Sequence, residues 1–135
     1  MFCDDIRAED NGKHLLIGVY DDAIVIQSEF PIILPQLSFF VKLLEPISYR
    51  GKSGLIRIYF EPHGSDAEVL LEIELPRDRW TKADDPHFDP SAKYLNVNFL
   101  VKAVPFRVES PGYLRVRGYY DDDEVKLGSI SVQKG

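Results

Sequence analysis

Asp10-Asn11-Gly12-Lys13, set between residues 2–9 and 13–20, decides the fold class. Asn-Gly between two alternating stretches is the strongest short-range signal for a β-hairpin with a two-residue type I′ turn. That turn puts Glu9 opposite His14, Ile6 opposite Ile17 and Asp4 opposite Val19. One face then carries Phe2, Asp4, Ile6, Ala8, Leu15, Ile17 and Val19, a core face with one anomalous carboxylate. The other carries Cys3, Asp5, Arg7, Glu9, His14, Leu16, Gly18 and Tyr20.

Working outward, more strands and turns follow. Ala23 to Ile26 is a short apolar strand. The two prolines of Phe30-Pro31-Ile32-Ile33-Leu34-Pro35 forbid a central strand, so this run is an edge or a connector over an open end of the core. Leu37 to Leu44 reads as a strand and Gly51-Lys52-Ser53-Gly54 as a turn. Residues 55–61 and 67–75 form a second hairpin around Pro62-His63-Gly64-Ser65, with Ile56, Ile58, Phe60, Val69, Leu71, Ile73 and Leu75 inward. Residues 66–75 also suit a short helix, but alternation with Glu68, Glu72 and Glu74 favours strand. Residues 77–92 are irregular, 94–103 and 106–109 are strands, and Pro111-Gly112 turns the chain into a last hairpin, 113–120 with 124–132. About nine short strands without a crossover helix predict one all-β domain over 1–135. It is an antiparallel β-sandwich, immunoglobulin-like or a similar Greek key, with a barrel as the alternative.

The composition suits such a domain. Its 135 residues are 44% hydrophobic and 28% charged, and Tyr and Phe far outnumber the single Met. Sixteen basic against 22 acidic side chains give a net charge of −6, which a phosphate backbone repels, so nucleic acid is not an expected partner. A single cysteine, Cys3, an acidic opening and the lack of a long apolar run predict a soluble, cytoplasmic protein with no membrane partner.

Asp4-Asp5-Ile6-Arg7 followed by Gly12-Lys13-x-x-Leu16-Ile17-Gly18-Val19-Tyr20 resembles the start of a family of small uncharacterised bacterial proteins, a domain of unknown function. The resemblance continues through Pro31, Pro35 and Leu37-Ser38-Phe39-Phe40-Val41 to Pro111-Gly112-Tyr113-Leu114-Arg115-Val116, nearly the whole chain. It implies a β-sandwich of bacterial or phage origin and brings no activity with it.

Two constellations bear on function. The expected register gathers Asp4, Asp5, Asp21 and Asp22 at one end of the first hairpin, and clustered carboxylates are what Ca²⁺ would need. The bland alternative has Asp4 capping backbone amides or pairing with the Met1 amine or a basic side chain, the rest being solvated. Asp84, Asp85, Asp89 and Asp121-Asp122-Asp123-Glu124 are read as solvated loops. On the last hairpin Tyr113, Arg115, Arg117 and Tyr119 form a basic, aromatic strip of the residue types that dominate protein interfaces. An ordinary exposed sheet face with Arg stems over Tyr rings would look the same. His14, His63 and His87 are scattered, Cys3 has carboxylate neighbours, and no nucleophile or phosphate-loop motif is present. The expectation is a non-catalytic module that binds a protein partner or itself, without a cofactor. A Ca²⁺-dependent or small-ligand-binding sandwich is the alternative.

Overall fold

The computed structural model describes residues 1–84, 89, 91 and 93–135. Among them are eleven strands. In chain order these are β1 (Phe2–Ala8), β2 (His14–Tyr20), β3 (Ala23–Ile26), β4 (Ile32–Leu34), β5 (Leu37–Pro46) and β6 (Gly54–Pro62). The remainder are β7 (Glu68–Glu74), β8 (Tyr94–Ala103), β9 (Phe106–Val108), β10 (Gly112–Tyr120) and β11 (Asp123–Lys134). They make a sandwich of a four-stranded sheet, β2-β1-β5-β8, and a five-stranded sheet, β3-β11-β10-β6-β7. The proline-flanked run supplies β4, which pairs only with β9 in a separate two-stranded sheet. Pairing is antiparallel except between β11 and β3, which run parallel.

The core follows the alternation. Leu37, Phe39, Val41 and Leu43 of β5 face Ile56, Ile58 and Phe60 of β6, Leu114 and Val116 of β10, and Ile130 and Val132 of β11, all buried in one cluster. Residues 68–74 are strand, as the Glu alternation predicts. A β-bulge shifts the β6–β7 register between Ile58 and Tyr59, so Ile58 pairs with Leu71 but Tyr59 with Val69. Val69 therefore leaves the inward face expected of it, because a bulge inserts an unpaired residue, here Leu70. The irregular stretch holds a 3-10 turn over Arg79–Asp84. Asp85 and His87 lie outside the described residues, as does the Asp84 side chain.

The first hairpin pairs one residue away from the expected register. Ala8 lies opposite His14, Ile6 opposite Leu16, Asp5 opposite Ile17 and Cys3 opposite Val19. The Glu9 amide donates to the Lys13 carbonyl at 2.9 Å, which leaves a three-residue loop, Asp10-Asn11-Gly12. Gly12 has φ +76° and Asn11 does not have positive φ. A type I′ turn needs positive φ at both central residues, whereas the three-residue loop needs it only at its last position. The slip moves the β2 side chains to the other face relative to those of β1. Leu15 and Val19, expected in the core, are exposed, and Tyr20 packs against it instead.

This hairpin also bends. Met1 and Phe40 exchange backbone hydrogen bonds at 2.6 and 2.8 Å, so a straight arm would carry His14 on the order of 20 Å from Phe40. Their rings are instead 5.9 Å apart. The arm turns back at Asp4 and Gly18, the latter at φ +64°, and lies over the outer face of β5. Cys3 and Ser38, on that outer face, are thereby fully buried, and Cys3 and Ile6 sit apart from the main core cluster.

Candidate functional site

The four carboxylates at the first hairpin do not form one constellation. Adjacent strand residues point to opposite faces, which separates Asp4 from Asp5. Asp4 accepts the Tyr20 hydroxyl at 2.5 Å. Asp5 accepts Lys102 Nζ at 2.9 Å, Gln36 Nε2 at 2.7 Å, Arg7 Nε at 3.2 Å and the Ile6 amide at 2.8 Å. Lys102, then Arg7 and Gln36, hold the Asp5 carboxyl well below the usual carboxylate range. Asp21 and Asp22 occupy the exposed crossover from β2 in one sheet to β3 in the other. Among the described residues no three His, Cys, Asp or Glu side chains are grouped to hold a metal ion.

Tyr113, Arg115, Arg117 and Tyr119 do share the outer face of β10, and that face is internally paired. Arg115 lies 5.1 Å over the Tyr113 ring, and its Nε is 2.8 Å from Glu61 Oε2, an ion pair without hydrogen-bond geometry. Arg57 of β6 stacks 5.1 Å over Tyr119 and bonds Glu72 at 2.6 Å. Tyr59 and Tyr119 join their hydroxyls at 2.6 Å. Arg117 is buried, lies 3.6 Å from Glu124 and donates to the Val116 carbonyl at 3.0 Å. Arginines already held by carboxylates have fewer donors left for a partner.

A second surface was not legible as a site. β7 ends the five-stranded sheet and β8 ends the four-stranded sheet on the same side of the sandwich. Between them opens a groove of about 370 Å³, floored by Phe39 and Ile58, walled by Leu70, Leu71 and Val101, and closed at one end by Phe106. Leu70 and Leu71, which line it, are 40% and 38% exposed. The bulge at Leu70 turns two successive leucines toward the groove, and nothing in the sequence marks that bulge.

A third feature was also missed: a charged cluster at one end of the core. Glu45 continues the inward series of β5 and is fully buried. It accepts Arg79 Nε at 2.7 and 2.9 Å, Trp80 Nε1 at 2.8 Å and the Tyr120 hydroxyl at 3.2 Å. Arg79 also donates to the Lys52 carbonyl at 2.7 Å, and Tyr120 stacks on Tyr49 at 4.4 Å. The inward alternation of Leu37, Phe39, Val41, Leu43 and Glu45 was the available signal. Every oxygen is partnered, so the cluster closes the core and ties the Arg79–Asp84 turn to it.

His63 packs 5.4 Å from Tyr113, and burial first, then Asp4 and Asp5, pushes the Cys3 thiol up. Tyr20 and Tyr119 are pushed up to about 12, each chiefly by burial and then by its hydroxyl partner, and Tyr120 is raised by burial and then by Glu45. Each keeps its proton in the folded state after the unfolded phenol, near pH 10, has lost it, so stability falls as pH rises from 10 toward 12. Absorbance titration at 295 nm should show these three ionising above the range of an unfolded phenol, together with unfolding. Three independent titrations near pH 10 in folded protein would contradict the buried placement.

No helix among the described residues is long and apolar enough to cross a membrane. No curated protein and no solved structure matches the chain. A family of unknown function, DUF6941, matches residues 1–133. A match of that extent, over the β-sandwich just described, means that the chain belongs to this family.

Proposed function

We propose that this chain is a non-catalytic binding module that takes up an extended segment of protein along the open side of the sandwich. The observation that carries this reading is the groove between β7 and β8, the end strands of the two sheets among the described residues, where apolar side chains lie beside sheet edges. An edge strand offers main-chain hydrogen bonds and an apolar groove offers side-chain pockets, the two components of recognition by strand addition. The Tyr/Arg face supports the reading less, because Glu61, Glu72 and Glu124 already engage its arginines and Arg57.

The test is selection from displayed random peptides at protein concentrations low enough to keep the chain monomeric. Extended peptides with alternating apolar residues should be enriched. Leu71→Asp should weaken their binding about tenfold or more, as expected for a charge placed in a desolvated groove, and Arg115→Glu should leave it unchanged. Equal loss in both variants, or no enrichment, would overturn the reading.

A further inference from the structure

We propose that the first hairpin beyond Asp4 is a hinged strap, which lifts off the outer face of β5 as a unit and uncovers Cys3 and Phe40 while the sandwich stays folded. This motion is independent of the groove between β7 and β8. The hinge is visible in the pairing. β1 and β2 are in register at Phe2 and Cys3 and again from Asp5 to Ala8, and the ladder is interrupted between them, at Asp4 and Gly18. Gly18 takes φ +64°, a left-handed backbone that favours glycine, and a Cβ there would stand 2.2 Å from Asp4 Oδ2. On the near side of the hinge the chain is anchored. Phe2 packs edge-on against Phe39 at 5.3 Å within the main core, and Phe2 and Cys3 pair with Phe39 and Ser38.

On the far side the hold is slight. β1 makes no ladder pair with β5 beyond Cys3. Between Asp4 and Tyr20 only Ile6 is buried, and it lies outside the main core cluster. The other fastenings are polar or partly exposed. Asp5 takes Lys102 Nζ and Gln36 Nε2, the Asp4 carbonyl accepts the Ser38 hydroxyl at 3.3 Å, and His14 rests on Phe40. An ion pair in contact with water adds little to the hold. A segment with so few buried apolar contacts opens locally at far lower cost than the whole fold. The hairpin's own ladder, from Asp5 and Ile17 to Ala8 and His14, is untouched by that opening, so the strap moves as one piece. Beneath it lies a fully buried thiol, whose Sγ meets the Ser38 carbonyl at 3.8 Å. Cys3 is the chain's single cysteine, so its reactivity can be followed without interference.

The test is the rate at which DTNB labels Cys3 in the full chain across low urea concentrations, relative to the rate in the unfolded chain. Opening of the strap exposes little surface, so wild-type labelling should be nearly independent of urea below the unfolding transition. Ile6→Ala should raise that rate about tenfold or more, the effect of deleting a buried aliphatic side chain from the closed state. Circular dichroism checks that it folds, and Ile6→Val, a milder change, should raise the rate about threefold. Leu114→Ala, in the main core, should lower the melting temperature yet leave the low-urea rate within about twofold of wild type. Lys102→Gln should raise the rate about twofold, and about 1 M salt should remove that difference. Labelling that follows global unfolding in its urea dependence at every concentration would overturn the proposal. So would a rate that both Ile6 variants leave unchanged, because Cys3 would then be exposed by loosening of the β1–β5 pairing and not by the strap.

Discussion

Glu45→Ala should lower the unfolding free energy by about 3–5 kcal/mol, the cost of breaking a buried ion pair from one side. For a chain of this length that corresponds to a fall in melting temperature on the order of 10 °C or more. The cause is what remains. Arg79 Nε loses both carboxylate oxygens, and the Trp80 indole N–H and the Tyr120 hydroxyl lose their acceptors in a site that water does not reach. The carbonyls of Pro76 and Lys52 still hold the far end of the guanidinium at 3.2 and 2.7 Å, so it cannot swing out to solvent without breaking those bonds too. Glu45→Gln should lose less, since one carbonyl oxygen survives as an acceptor. A double variant, Glu45→Leu with Arg79→Met, should lose less than Glu45→Ala alone, because no uncompensated charge is left behind. Urea denaturation of the three proteins decides it. A loss below about 1 kcal/mol in Glu45→Ala would place the pair among surface salt bridges and contradict its burial.

Gly112→Val should lower stability by about 3 kcal/mol, at the upper end of the range for overpacking. A Cβ at this position would stand 2.3 Å from the Glu61 carbonyl oxygen and 2.9 Å from Pro62 Cα, both main-chain atoms. Gly112 pairs with Pro62 on one side and Val132 on the other, so relief requires moving β6 away from β10. Gly128→Ala is the control. Its Cβ would meet only Phe2 Cε2, at 4.0 Å, an ordinary contact, and it should cost less than about 1 kcal/mol. Thermal unfolding of the pair measures the difference. Equal losses would mean that the close approach of β6 to β10 is not what reserves position 112 for glycine.

Much of this fold was legible because alternation, turn residues and prolines act locally. The run Leu37 to Leu44 and the pair of hairpins in the five-stranded sheet could be read from period two alone. Asn11-Gly12 correctly marked a hairpin and misplaced its register by one residue, because a two-residue and a three-residue loop can share the same Gly. That slip moved Leu15 and Val19 from core to solvent. Pro111-Gly112 read as a turn, yet Gly112 is already a strand residue, kept small by a neighbour more than fifty positions earlier in the chain. Residues that meet across sheets leave no local mark. The groove depends on which strands end each sheet, and Glu45 depends on Arg79 and Trp80 arriving from a loop with no periodicity. The Tyr/Arg strip was visible as a strip, whereas its acidic partners on β6, β7 and β11 needed the sheet order.

The parallel pair of β3 and β11 bears on how the chain is made. A ribosome delivers strands in order, and β3 lies at the sheet edge with β11 as its only neighbour, Ala23 beside Ser131. Until the last strand emerges, Ala23–Ile26 has nothing to join, and β10 has only β6 beside it. The five-stranded sheet therefore cannot close until β11 is available. Such long-range pairing makes folding slow and leaves strand edges uncovered meanwhile, so this domain should depend on chaperone protection most heavily in the interval before β11 has joined β3 and β10.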